Sequence, residues 1–584
     1  MVGRSLPVVR PRCSEPFLRA PGGVTTPVGT IDAGVLALVD AAGAVEPVGT
    51  TWTLDWWIGA EDRWHHPSVE AAVRQRSLGD APLVHTAVRV PGGDVVARTG
   101  GVVATSGTEV GPGVLVEFEN LSAVPVALAL VLRPVRSDGG GRVVAARVHG
   151  SIVEIDGAVA LRVDRPIARA VVGRCVADPP GGSVATRLAE ADDRTPPLAT
   201  EDRDGRAEVA VVVPLAHAAT VRVLVGAGPG GEGPWSSPSL DDVTAGWDTH
   251  LDRLASLDLG DPARTSAFRA ACATLLLCAQ DVVADTLRRR RRGDGTSDSV
   301  RAALVCEAAA RTGAVDLLPP VARALALAQR LGGACRLGDG TDGSVALLWA
   351  VAGVLGGPTA HQHADELVAP AAVAIRRLAR RPSAVAEVGA AAAAAALRAV
   401  APGLVTVGQP EVAADAVTVA GTVAGTVAGT VAGTVAGTVA GTVAGTGSTS
   451  RSGPQVLGGD ATPVAEFVVE VLRSTVVDSA DGLSVLPVVP ESTRGLPLDV
   501  RDVRSAWGLV SWSLRWHGER PALLWEVEPA PGLGVEPAPT LRAPVLDPDW
   551  TGTGWSGEAL LGATGTGPVV RSTAGDDPSA GSFS

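Results

Sequence analysis

Two acids in a glycine-rich loop are the residues of this sequence best placed to do chemistry. Asp339 and Asp342 lie in Leu337-Gly338-Asp339-Gly340-Thr341-Asp342-Gly343-Ser344, which leads into the apolar run Val345–Val351 carrying Trp349. Glycoside hydrolysis needs two carboxyl groups about 5–10 Å apart across a cleft, and loops that open helices can supply them. A second such loop holds Asp294 and Asp298, directly after five arginines, Arg288 to Arg292. Either acid can be the partner of Asp339 or Asp342. Simple capping is the competing account, with Asp342 or Ser344 accepting helix N–H groups and the glycines making the turn. The arginine run can hold a phosphate or an anionic sugar, but it also reads as a solvated loop.

The densest aromatic stretch is Thr51–His66, which contains Trp52, Trp56, Trp57 and Trp64 beside Asp55, Glu61, Asp62, Arg63, His65 and His66. Indole faces stack on sugar rings and neighbouring charged groups bind hydroxyls. Trp56, Trp57, Trp64 and Arg63, with Trp349, are therefore the expected substrate-binding residues. The alternative is a loop clamped by large side chains, with Arg63 paired to a carboxylate. His65 and His66 are adjacent, so on a strand their rings point to opposite faces and make a poor metal site.

No GxSxG elbow, HExxH helix, phosphate-binding P-loop or dinucleotide fingerprint is present, so neither a cofactor nor a metal is expected. The cysteines, Cys13, Cys175, Cys272, Cys278, Cys306 and Cys335, form no CxxC pair and read as reduced, structural thiols. A net charge of −13 argues against nucleic acid and anionic membrane as partners. The arginine run has no interleaved aromatics for stacking on bases. Lacking an apolar signal segment and any run long enough to span a bilayer, the chain is expected to be cytoplasmic.

At 584 residues the chain exceeds one core and is expected to be a multidomain α+β protein. Residues 1–23 read as a tail and 24–230 as a β-sandwich. Short Val/Thr-rich runs alternate there in period two between Gly/Pro/Asp turns. Ser151–Ile155 and Ala158–Val163, joined by Asp156-Gly157, form the clearest hairpin, and Gly111-Pro112-Gly113 reads as another turn. Residues 240–400 turn helical, with segments at Asp298–Thr312, Val315–Leu331, Ser344–Val354, His361–Arg380 and Ser383–Val400 packing as α-hairpins. Residues 401–461 read as a low-complexity insert, because Val-Ala-Gly-Thr repeats seven times between Val419 and Thr446. A last helix is expected over 462–478, a C-terminal β-rich domain over 482–561, and a disordered tail over 562–584. In the β-rich part Gly508–Trp516 and Ala522–Val527 pair around His517–Arg520.

Trp56–His65, Val116–Pro134, the Asp339–Ala350 loop and helix, and Leu514–Glu526 together resemble a family of uncharacterised actinobacterial proteins. The order of sandwich, α-hairpins and β cap is similar to six-hairpin, glucoamylase-like glycosidases. That resemblance implies a sandwich packed on a partial α/α toroid, with acids at loop ends acting on α-glycosidic bonds. The expected function is thus a glycosidase-like protein that acts on or binds an α-glucan or oligosaccharide. The alternative is a non-catalytic glycan-binding or scaffold protein on a degenerate core of that kind.

Overall fold

The computed structural model describes residues 25–175, 183–190, 194–226, 228, 234–287, 297–330, 332–339, 341–381, 388–428, 462–479, 481–487, 494–531 and 537–562. Helix and sheet are mixed, and the sheets are largely antiparallel.

The N-terminal part holds two sheets. In the first, β10 (Val126–Arg133) lies between β4 (Thr53–Gly59) and β16 (Ala207–Leu215), all antiparallel. The second is built on the long hairpin of β8 (Gly93–Ser106) and β9 (Glu109–Asn120). Leu54, Trp56, Ile58, Leu128 and Leu130 of the first sheet share one core with Val95, Ala97, Val116 and Phe118 of the second. Period-two alternation puts these residues on the inner face. The expected hairpin at Asp156-Gly157 is present, with Ile155 opposite Ala158 and φ of 52° and 84° at the two turn residues. This is the left-handed pair that a two-residue turn demands.

Gly111-Pro112-Gly113 is not a turn. It lies inside β9 and pairs with Val102, Val103 and Ala104. The turn falls instead at Gly107, φ 60°. The neighbouring glycines have a packing reason: a Cβ on Gly101 would stand 2.2 Å from the backbone of Gly29, so only glycine lets strand β1 (Thr25–Thr30) cross there.

In the helical part, α4 (Asp298–Thr312) and α6 (Ser344–Leu355) are the inner helices. Every residue of α6 is buried, as befits a helix apolar on all sides. Around them stand α3 (Pro262–Leu287), α5 (Leu318–Leu327), α7 (Ala360–Arg380), α8 (Ala390–Thr406) and α10 (Thr462–Thr475). The expected helix ending at Val400 runs on through Pro402.

The expected insert at 401–461 is partly helical core. Residues Pro410–Ala428 form α9, which buries Ala413, Ala416, Val419, Ala420 and Val423. The first repeats therefore extend a helix rather than begin a linker, and residues 429–461 lie outside the described residues. At about 100° per residue, a four-residue repeat advances its valines by about 40° each time.

The C-terminal sheet runs β19 (Ser256–Asp258), β22 (Leu498–Ser505), β23 (Gly508–His517), β24 (Arg520–Pro529) and β27 (Ser556–Leu560). The predicted β23–β24 hairpin is present with a tighter turn, since His517 pairs directly with Arg520. The sheet is not a domain with its own core. Its edge strand β19 precedes α3 in the chain. Val500, Val510, Trp512, Leu514 and Leu523 belong to the same cluster as α4 and α6.

Substitutions on α9 test its register. Gly421 is exposed with open space around its Cα, so Gly421→Ala is expected to raise unfolding stability by about 1 kcal/mol. Val423 is 1% exposed, and Val423→Asp is expected to lower it by about 2–4 kcal/mol. Urea unfolding of the two variants measures both.

Candidate functional site

The glycine-rich loop holds its two acids in local bonds. Asp342 opens α6: its Oδ1 accepts from Ser344 N at 3.1 Å and Ser344 Oγ at 2.6 Å, while Arg377 Nε donates to Oδ2 at 2.5 Å. Asp339 Oδ1 accepts from Thr341 N at 2.8 Å and Thr341 Oγ1 at 2.6 Å.

Of the possible pairings, Asp298 and Asp339 lie together. Each carboxylate accepts the other's backbone N–H: Asp298 N to Asp339 Oδ2 at 2.9 Å, and Asp339 N to Asp298 Oδ2 at 3.0 Å. The reciprocal bonds stitch the loop before α6 to the first turn of α4. Their environments differ. Burial, with the Asp339 charge second, pushes the Asp298 carboxyl up. Asp339 is held low by the hydrogen bonds from Thr341 and the Asp298 amide, which outweigh its burial. Asp294 and the arginines 288–292 lie outside the described residues.

The aromatic stretch is mostly core. Trp56 and Trp57 are each 2% exposed. Their rings point to opposite faces of β4, Trp56 against Phe118 at 5.5 Å and Trp57 edge-on to His66 at 4.5 Å. Neither offers a face to a sugar, because both faces of the sheet at β4 are covered. Trp64 is half-buried, lies over Gly59 and donates to Leu188 O at 3.2 Å. Arg63 is exposed and forms a two-point pair with Glu70, at 2.5 and 3.1 Å. The clamped-loop account fits these residues.

Trp349, 2% exposed on α6, lines a cavity of about 220 Å³ between the helices and the C-terminal sheet. Arg311 of α4, Asp478, Arg504 of β22 and Glu528 of β24 line it as well. Arg311 is held by donating Nη2 to Val476 O at 2.6 Å, with Nη1 3.7 Å from Glu307. Glu307 is itself gripped by Arg473 at 2.9 and 2.6 Å. Arg504 donates Nη1 to Gly356 O at 2.9 Å. Asp478 Oδ1 accepts from Ala506 N at 3.1 Å, and burial pushes its carboxyl up despite Arg311 and Arg398 nearby. Arg311, Asp478, Arg504 and Glu528 carried no local signal. They come from segments far apart in the chain, and only the shared core of helices and sheet gathers them.

Among the described residues no group of three or more His, Cys, Asp or Glu could hold a metal ion. Cys272, Cys278, Cys306 and Cys335 are buried thiols, and burial pushes Cys272 and Cys335 up to about 12. Cys175 departs from the expected reduced set, being disulfide-bonded. No single helix among the described residues is long and apolar enough to cross a membrane.

No family model matches the chain, and no curated protein does. Among solved structures it is similar to a bacterial glucoamylase crystallised with acarbose. The identity is 11% and the TM-score 0.41, over 70% of this chain and 68% of that one.

His66 gives a pH test of the packing around Trp57. Burial, with Arg133 second, lowers its pKa from 6.5 to about 4. Below pH 6.5 the unfolded chain takes up a proton that the folded chain refuses. The contribution is therefore complete above 6.5 and is lost as pH falls toward 4, about 2–3 kcal/mol in all. His66→Phe is expected to remove this part of the slope, read as urea-unfolding stability at pH 7 and pH 4.5.

Proposed function

We propose that this chain binds a saccharide in the cavity against Trp349 and does not hydrolyse it through the acids of the glycine-rich loop. The cavity itself carries the reading. Its volume of about 220 Å³ equals about seven waters, near the size of one sugar unit. An indole, two guanidinium groups and two carboxyl groups line it, the mixture of apolar wall and few polar groups that small-molecule sites use. Against turnover at the loop stands the bonding of its acids. Both oxygens of Asp339 and both of Asp342 already accept hydrogen bonds. A carboxylate so occupied is a poor base or nucleophile, because its lone pairs are spent on the fold.

A second reading, hydrolysis in the same cavity, has one observation in its favour. Asp478 is buried with its carboxyl pushed up by that burial, and exposed Glu528 lines the same space. A pair of carboxyl groups across one space is how glycosidic bonds are cleaved.

Calorimetry and product chromatography on glucose, maltose and a set of α- and β-linked oligosaccharides decide between the two. Binding without products, weakened at least tenfold in Trp349→Ala, is the expected result. Cleavage abolished by Asp478→Asn would select the second reading. Absence of binding to every sugar would end both.

A further inference from the structure

The C-terminal sheet ends on a strand with one side unpaired. Among the described residues β27 pairs with β24 and with no other strand. The register says which of its backbone groups are left over. Leu561 N donates to Pro521 O and Val527 N to Trp555 O. The alternate residues between them, Gly557 and Ala559, therefore turn their N–H and C=O groups toward β24 as well. In an antiparallel ladder the intervening residues turn theirs the other way. Ser556, Glu558 and Leu560 thus present backbone groups to the open side. One of these is already engaged: Leu560 O accepts from Arg520 Nη2 at 3.2 Å.

The side chains of these residues share the outward face of the sheet with Leu524 and Glu526 of β24. Leu524 lies directly opposite Glu558, Leu560 opposite Ala522 and Glu526 opposite Ser556. The two leucines are therefore diagonal neighbours, and so are the two glutamates. Leu524 is 47% and Leu560 49% exposed, whereas Leu523 and Trp525, on the other face of β24, belong to the core. Glu526 and Glu558 are exposed as well. The arginines of the adjoining strands are engaged elsewhere. Arg515 donates to both oxygens of Asp499, at 2.8 and 3.0 Å, and Arg520 to the carbonyls of Leu560 and Leu561. An open strand edge beside an exposed apolar pair is a template for another strand.

We infer that the edge of β27 takes an extended segment of a partner protein, with a basic residue opposite Glu558 and an apolar residue opposite Leu560. The inference stands apart from the saccharide reading. Main-chain bonds to Ser556, Glu558 and Leu560 would supply the pairing, and the alternating side chains the selectivity. Five residues at about 3.3 Å each make an edge about 17 Å long, a span that an extended peptide fills. Stable dimers of folded chains bury about 800 Å² per partner, which one short edge does not offer. A second copy is disfavoured by charge too, because full-length antiparallel pairing of β27 with itself sets Glu558 against Glu558. The same two glutamates favour a strand that carries lysine or arginine.

The test uses the full chain and a labelled peptide of about seven residues in which lysine and valine alternate, read by fluorescence anisotropy. Two control peptides carry glutamate in place of lysine, or the same lysines and valines in two blocks. The alternating basic peptide is expected to bind at least tenfold more tightly than either control. Ser556→Pro removes an edge N–H while breaking no bond to β24 and changing no charge, and is expected to weaken binding at least tenfold. Glu558→Lys is expected to abolish the preference for lysine over glutamate, and serves if Ser556→Pro does not fold. Equal binding of the alternating and block peptides, or binding untouched by Ser556→Pro, would reduce the effect to attraction by the net charge of −13 and overturn the inference. Self-association in sedimentation that Ser556→Pro abolishes would give the edge to a second copy and overturn it as well. If no peptide binds, Glu558 guards the edge against pairing and the inference falls.

Discussion

A helix that is apolar on every side has to be covered on every side, and α6 imposes that condition on the rest of this chain. Ser344 to Leu355 contributes no face that tolerates water, so neighbours must close around it completely. Helices α4, α5, α7 and α8 cover most of it, and the C-terminal sheet joins the same apolar cluster. Two helices are brought so close that glycine is required between them: a Cβ on Gly403 of α8 would stand 2.6 Å from Leu355. The cavity exists where this closure is incomplete: Trp349, and Gly356 just beyond α6, line it together with Arg311 and Arg504 instead of more hydrocarbon.

The polar groups follow from the same burial. A charge taken out of water must be paired or hydrogen-bonded. Glu307 meets that condition through Arg473 and Arg311, and Arg311 in turn holds the carbonyl of Val476. These bonds tie α4 to α10 and to the strand that follows it. Acids at the other end of α4 do comparable work: Asp298 and Asp339 fix the loop before α6 by exchanging backbone N–H bonds. The residues with the strongest chemical promise in the sequence thus serve first to hold the inner helices in place.

Local rules made part of this legible. Asp156-Gly157 declares its turn because two left-handed residues are needed, and the β23–β24 hairpin shows in its strict alternation. The inner helices α4 and α6 were readable from capping and apolar runs. The start of α9 was not, since repetition suggested a linker while burial against α8 made it a helix. Gly111 to Gly113 misled because these residues sit inside a paired strand, opposite Val102 to Ala104, and not at a turn. For the site, the sequence offered Asp298 or Asp294 as partner of Asp339 or Asp342, and the structure bonds Asp298 and Asp339 through each other's backbone N–H. It pointed wrongly to Trp56 and Trp57, because an aromatic cluster looks the same whether it faces sugar or core. Arg311, Asp478, Arg504 and Glu528 could not be found from spacing, being gathered only by tertiary packing.

Strand β19 has a bearing on how the molecule is made. Ser256 to Asp258 pairs with Asp499 to Arg501, so an early stretch of chain waits for a partner some 240 residues downstream. At roughly 5–20 residues per second, the ribosome needs about 12–50 seconds to deliver it. Through that interval the apolar cluster of the inner helices lacks its sheet. Contacts of such long sequence separation are slow to form, so completion of this core is a late event. A nascent chain halted anywhere between the two strands retains an uncovered apolar surface and an unpaired edge, the features by which chaperones and proteases distinguish unfinished protein.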